Sequence, residues 1–193
     1  MFKKEIIMSK SRAVFLLIFS LVGIAASFII TWEKIELLKD PNHVTSCSIN
    51  PLLSCQNVMQ SPQASVFGFP NPFLGLIGFS MIFAFAFIGL FVKKFHAVLY
   101  FLLLGGLTFA VGFSTWLFHE AVFEIAAICV YCVAVWLCSY IMFADVLLLL
   151  IGSATNKPTI AGWGWIVGLA GWLILVLIIF ARYWDQFSRM LNF

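Results

Sequence analysis

Charged residues are scarce in this sequence. They make up 10% of its 193 residues, whereas soluble domains carry about 25%. Hydrophobic residues make up 63% of the chain, which is more apolar surface than a soluble core of this length can bury. This balance excludes soluble, nucleic-acid-binding and intrinsically disordered proteins. It favours a chain whose apolar surface faces the lipid bilayer.

Five charge-free runs are long enough to cross a bilayer, which takes about 20 helical residues. They lie at 13–32, 72–92, 97–118, 125–144 with an extension to about 151, and 161–181. The first run exceeds the apolar segment of a signal peptide, about 7–15 residues, so we expect an uncleaved helix. The predicted fold is an all-α membrane protein. It consists of a four-helix transmembrane bundle, a fifth transmembrane helix and an extracytoplasmic loop that carries a short half-helix.

Lysine and arginine accumulate in cytoplasmic loops and so indicate orientation. With the amino terminus in the cytoplasm, the inner face holds Lys3, Lys4, Lys10, Arg12, Lys93, Lys94 and Lys157, and the outer face holds Lys34, Lys39, Arg182 and Arg189. We therefore predict a cytoplasmic tail at 1–12 and a four-helix unit at 13–151 with its outer loop at 33–71. A cytoplasmic loop, the fifth helix and a short outer tail follow at 152–193. The expected location is the cell (inner) membrane, crossed several times.

The outer loop contains turn-forming residues and the start of a short helix. Asn50 is a suitable N-cap and Pro51 suits the first helical position. We expect a half-helix at 51–60 that lies flat over the bundle with its apolar side down.

Four of the five cysteines fall on the predicted outer face. Cys47 and Cys55 lie in the first outer loop, and Cys129 and Cys132 form Cys-Val-Tyr-Cys at the outer end of the fourth helix. Disulfides persist on that side of the membrane. Cys138 lies deeper in the same helix, and we interpret it as a small buried hydrophobic residue.

The Cys-x-x-Cys pair supports three interpretations. At a helix start, unpaired N–H groups favour the thiolate that attacks disulfides, which suits a redox pair. The four cysteines could instead form two structural disulfides. They could also bind zinc, although zinc ribbons tend to use two short Cys-x-x-Cys knuckles and Cys47 to Cys55 is a longer step. We rank redox first, structural disulfides second and zinc third.

The cysteine pattern, together with Cys55-x-x-Val58-x-x-Ser61, Phe67-Gly68 and Asn71, resembles bacterial homologues of the vitamin K epoxide reductase family. The likeness covers about residues 16–150. It implies a four-helix bundle around a quinone, with no metal. In this family a fifth helix often leads to a thioredoxin-like domain. The sequence after the fifth run is short, so the resemblance implies a separate thioredoxin-fold disulfide-forming partner.

The resemblance also implies a role for each cysteine. Cys132 would stand next to the quinone ring, with Cys129 as its disulfide partner. Cys47 would meet the partner protein, and Cys55 would attack Cys129.

Four further residues are predicted to bind the quinone. Ser61 and Asn71 match polar residues of the family's site, and Phe67 is a candidate for the pocket wall. Trp136 stands where the animal enzymes have a tyrosine; an indole N–H donates a hydrogen bond but cannot accept one.

Other residues receive structural interpretations. His119, Glu120 and Glu124 could relay protons to the reduced quinone, but we favour an ordinary solvated outer loop for them. We expect Asp145 to be solvated near the inner interface. Four glycines, Gly75, Gly78, Gly105 and Gly106, are of a kind that permits close helix contacts.

The predicted function is a quinone-dependent membrane thiol oxidoreductase. Electrons would pass from the partner's dithiol through both cysteine pairs to ubiquinone or menaquinone, driving disulfide formation outside the cytoplasm. One alternative is a polytopic scaffold with structural disulfides. Another is a functional analogue of disulfide bond formation protein B, in which the order of the two cysteine pairs is reversed.

Overall fold

The computed structural model describes residues 5–191, so Lys3, Lys4 and the last two residues of the predicted outer tail lie outside the described residues. Seven α-helices occur in this range: α1 (Lys10–Lys39), α2 (Cys55–Gln60), α3 (Pro72–Gly89), α4 (Ala97–His119), α5 (Val130–Thr155), α6 (Gly164–Arg182) and α7 (Trp184–Leu191). Two short strands, β1 (Glu5–Ile7) and β2 (Lys94–His96), pair in antiparallel fashion. Five spans have the length and hydropathy to cross a membrane. The predicted all-α membrane fold is confirmed.

Helix α5 is the centre of the bundle. It packs against α1, α4 and α6, and α1 also packs against α3. The four helices α1, α3, α4 and α5 form the bundle. Helix α6 packs against α5 on the surface of this bundle.

The α1–α3 contact depends on small residues. A Cβ atom at Gly75 would collide with the Ser27 side chain, as the glycine pattern predicts. The same prediction is wrong for Gly78, Gly105 and Gly106, where a Cβ atom would meet nothing within 4 Å. Helices α3 and α4 therefore do not pack closely at these three positions.

The amino-terminal segment is more ordered than the predicted tail. Strand β1 pairs with β2, and Ser9 caps α1 by accepting a hydrogen bond from the Arg12 amide at 3.2 Å. The pairing also places the amino-terminal segment and the α3–α4 connection at the same end of the bundle.

The expectation of a solvated Asp145 is wrong. Its carboxylate accepts a hydrogen bond from Arg12 Nε at 2.9 Å, and the two side chains are 8% and 15% exposed. Arg12 Nη2 also donates to the Ala161 carbonyl at 3.0 Å. Arg12 supplies the charged partner that a buried carboxylate requires. Its hydrogen bonds join α1 to α5 and to the short turn that precedes α6.

The half-helix is shorter than predicted. It begins at Cys55, and its N-cap is Ser54 rather than Asn50. Asn50 Oδ1 instead accepts hydrogen bonds from the Leu52 and Leu53 amides at 3.0 and 2.8 Å, as in an Asx turn. These residues cannot be helical because Leu53 pairs with Ile128 in a parallel β-bridge.

Candidate redox site and membrane cavity

The β-bridge between Leu53 and Ile128 brings the two cysteine-bearing segments together. The Ser54 amide donates to the Ile128 carbonyl at 3.2 Å, and the Ile128 amide donates to the Leu52 carbonyl at 2.7 Å. Cys55 and Cys129 follow directly after these paired segments. The bridge therefore sets the two residues side by side, although they are 74 positions apart in the sequence.

Three of the four predicted redox cysteines meet at this point. Cys47 and Cys55 form a disulfide, and Cys55 Sγ lies 3.0 Å from Cys129 Sγ. Cys55 is 0% exposed and Cys129 is 1% exposed. The sulfurs are therefore within reach of an exchange that moves the disulfide from Cys47–Cys55 to Cys55–Cys129, in a place from which water is excluded.

Cys129 and Cys132 are free thiols at the start of α5. Cys129 is the N-cap, and its sulfur accepts a hydrogen bond from the Cys132 amide at 3.4 Å. Unpaired N–H groups and the helix dipole at this end favour negative charge on sulfur. The local structure thus directs the N–H groups of the helix start toward the sulfur of Cys129, the residue that faces the Cys47–Cys55 disulfide.

The sulfurs of Cys47, Cys55 and Cys129 lie within 4.8 Å of one another. Zinc binds deprotonated thiolates, and two of these three sulfurs are joined in a disulfide. The cluster in this state has the chemistry of disulfide exchange and does not fit a zinc site.

A cavity of about 630 Å³ lies against Cys129 and Cys132, the inner cysteine pair, between helices α1, α3, α4 and α5. Cys129, Cys132 and Trp136 line it at one end, and Phe79 and Phe85 line it further along. Most of the wall is apolar. This size and lining suit an apolar ring with a hydrocarbon tail.

The cavity is open to the surroundings between α3 and α4. Ile77 and Met81 on α3 and Leu102 and Phe109 on α4 all line the cavity, and all four are exposed on the bundle surface. In a membrane these positions face the hydrocarbon. A lipid-soluble molecule can therefore reach Cys132 from the bilayer without crossing the aqueous phase.

The four residues predicted to bind quinone are placed differently. Ser61, Asn71 and Trp136 line the cavity, whereas Phe67 lies outside its lining and packs against Phe113 with the two rings tilted and their centroids 5.7 Å apart. Trp136 is buried and packs edge-on against Phe118 at 5.6 Å. Phe67 thus supports the wall from behind rather than forming it.

The side chains of Ser61 and Asn71 form hydrogen bonds with backbone groups of the loop. Ser61 Oγ donates to the Val58 carbonyl at 2.7 Å. Asn71 Nδ2 donates to the Gln63 carbonyl at 2.7 Å, and its Oδ1 accepts from the Val66 amide at 3.1 Å. These bonds shape the segment that covers the cavity.

Two cavity residues, Gln63 and Glu120, were not among the predicted site residues. Gln63 has no motif around it. Glu120 was assigned to a solvated loop because the sequence does not show that a π-helical turn (Glu120–Ile125) extends α4 over the cavity. Cys138, as expected, is a buried free thiol.

The fold and the site define a membrane oxidoreductase that acts on thiols. The chain belongs to the vitamin K epoxide reductase family, whose profile matches residues 14–147. No curated protein matches the chain. The matched region contains α3, α4, most of α1 and α5, and the four cysteines predicted to be redox-active, and it ends before α6.

Proposed function

We propose that this protein oxidises a thioredoxin-fold dithiol partner and passes the electrons to a membrane quinone, ubiquinone or menaquinone. The site would face the extracytoplasmic side of the cell (inner) membrane, with the amino terminus in the cytoplasm. The observation that carries the proposal is the 3.0 Å approach of Cys55 Sγ to Cys129 Sγ beside a cavity that opens to lipid.

The first exchange takes electrons from the partner. A partner thiolate attacks Cys47, and the partner's second thiolate then resolves the mixed disulfide. The partner leaves as a disulfide, and Cys47 and Cys55 become thiols. Cys47 is only 6% exposed, so the neighbouring loop has to move before a partner reaches its sulfur.

The second exchange moves electrons inward. Cys55 attacks Cys129 of an oxidised Cys129–Cys132 pair and releases the Cys132 thiolate. Cys47 then attacks Cys55, which restores the outer disulfide and leaves Cys129 and Cys132 reduced. The arrangement with an outer disulfide and two inner thiols corresponds to the state after this step.

The quinone is the final acceptor. Cys129 and Cys132 lose two electrons and two protons and form a disulfide, and the quinone gains two electrons and two protons to become a quinol. The net result is one disulfide in the partner and one quinol in the membrane.

The test uses purified protein with a small dithiol and a short-chain quinone, followed by quinone absorbance. Cys132→Ser and Cys129→Ser should abolish turnover. Cys47→Ser should retain it with a small dithiol that reaches the inner pair directly. Undiminished turnover in Cys132→Ser would overturn the proposal, as would cysteines that stay in one redox state whatever the quinone, as expected of a scaffold with structural disulfides.

A further inference from the structure

Glu120 occupies a position at the cavity that its sequence surroundings do not suggest. It is the first residue of the π-helical turn after α4, and its side chain is 16% exposed. It lines the cavity that also contains Cys129 and Cys132. By contrast, Glu124 in the same turn is exposed and lies outside the cavity lining.

Gln63 holds the Glu120 carboxylate in this position. Gln63 Nε2 donates to Glu120 Oε2 at 3.0 Å, and both residues line the cavity. Gln63 is fixed in turn because its carbonyl accepts the Asn71 side-chain hydrogen bond. A primary amide has two N–H donors, so Gln63 retains capacity to donate to a carbonyl oxygen in the cavity.

The other oxygen of Glu120 is directed toward an exposed imidazole. His119 Nδ1 lies 3.8 Å from Glu120 Oε1, and the His119 side chain is 59% exposed. Glu120 therefore stands between a group in contact with the outer surface and an apolar cavity. This is the arrangement that a proton needs to pass from water to a site that excludes water.

Quinone reduction creates a need for such a path, because each quinone oxygen must receive a proton inside a mostly apolar cavity. The other ionisable groups of the cavity lining are Lys34, Cys129 and Cys132. Lys34 Nζ is bound to the Met59 carbonyl, and the two thiols supply the electrons.

We propose that Glu120 delivers a proton to one quinone oxygen and that the Gln63 amide binds that oxygen. This inference rests on the proposed function. The S–H bonds of Cys129 and Cys132 break, a disulfide forms between them, and both electrons go to the quinone. The Glu120 carboxyl gives its proton to this oxygen and takes another from His119 or water. One thiol proton goes to the second quinone oxygen, and the other leaves to the outer solution. The thiols thus release two protons and the quinone takes up two.

The experiment separates the two half-reactions. In the first, a small dithiol reduces the oxidised protein and thiol alkylation measures the product. In the second, prereduced protein is mixed with a short-chain quinone and quinone absorbance is followed in a stopped flow. Glu120→Gln keeps a side chain that can bond Gln63, and Glu124→Gln is the matched control.

We expect Glu120→Gln to leave the first half-reaction unchanged and to slow the second about 10- to 100-fold, a typical range for loss of general acid–base catalysis. The pH dependence of the second half-reaction should become flatter in this variant. Gln63→Leu should raise the quinone KM more than it lowers kcat. Glu124→Gln should match the parent protein in both half-reactions.

Two results have different meanings. If the prereduced parent protein does not reduce the quinone, the proposed function is wrong. If the parent reduces it and Glu120→Gln does so at the same rate with the same pH profile, the quinone acceptor stands and the role of Glu120 is wrong.

Discussion

The buried pair of Arg12 and Asp145 gives the sharpest stability prediction. Asp145→Ala leaves the Arg12 guanidinium, 15% exposed, with the Ala161 carbonyl as its protein acceptor. Arginine cannot lose its proton in a protein, so the uncompensated charge persists. Removal of one partner of a buried ion pair costs about 3–5 kcal/mol, and we expect the free energy of unfolding to fall by this amount.

The reverse substitution should cost less. Arg12→Ala leaves a carboxyl group, which can take up a proton and become neutral. We expect a loss of about 1–3 kcal/mol, the range for a buried polar group without its partner. This loss should shrink as the pH is lowered, because the unpartnered carboxylate of the variant then takes up a proton. Replacing both residues by apolar side chains should restore part of the stability.

Denaturation in mixed micelles, followed by tryptophan fluorescence, measures these differences. The exposed pair of Glu36 and Lys39 is the control, since its side chains are 28% and 64% exposed and such pairs contribute about 0–1 kcal/mol. If Asp145→Ala lowers the free energy of unfolding no more than Glu36→Ala does, the Arg12–Asp145 pair is solvated and the reasoning is refuted. Quinone turnover per folded molecule should not change, because Asp145 lies 13 residues, about 20 Å, along α5 from Cys132.

Three further predictions follow from single contacts. Gly75→Ala should lower the free energy of unfolding by about 1–3 kcal/mol, because the added methyl group would press α1 away from α3. Gly105 faces open space, so Gly105→Ala should be neutral or slightly stabilising in the same denaturation assay. Tyr183→Phe removes a 2.5 Å hydrogen bond to the buried Val122 carbonyl and should cost about 1–3 kcal/mol. Burial raises the pKa of the Tyr183 phenol. The contribution of this hydrogen bond to the free energy of unfolding should therefore be complete below pH of about 10 and disappear as the pH rises through the raised pKa. A free energy of unfolding that falls as steeply with pH in Tyr183→Phe as in the parent above pH of about 10 would contradict this. Cys138→Ala should leave quinone turnover unchanged, and a loss of turnover would place this thiol in the relay.

The transmembrane helices were predictable because each one satisfies its own backbone hydrogen bonds. A run of about 20 apolar residues in lipid can hardly be anything else. The ends were less predictable. The fourth helix was expected to begin at 125, but α5 begins at Val130, since residues 120–125 form a π-helical turn that belongs to the end of α4.

The four cysteines could be selected as candidates from their spacing and from the predicted placement of the segments that carry them. The contact that brings the two cysteine pairs together could not be predicted from the sequence. The Leu53–Ile128 bridge joins two segments far apart in the chain, and neither segment carries a strand pattern long enough to recognise. For the same reason Asn50 looked like a helix N-cap, when it forms the turn that leads into the bridge.

Polar side chains show the same limit. The binding of quinone by Asn71 stays a prediction. The sequence did not show that the Asn71 amide donates to the carbonyl of Gln63, or that the Gln63 side chain donates to Glu120 at the cavity. Residue type alone does not reveal which hydrogen-bond partner a side chain finds, because the partner is chosen by the folded chain.

The amino-acid sequence by itself determined that this chain has five runs long and apolar enough to cross a membrane and carries two cysteine pairs, because bilayer thickness and backbone hydrogen bonding act on each run separately. Only the tertiary structure decided that Cys55 touches Cys129, that Arg12 neutralises Asp145 and that the cavity opens between α3 and α4. Those outcomes depend on how separate helices and loops pack against one another, and such packing is a property of the whole chain rather than of any segment.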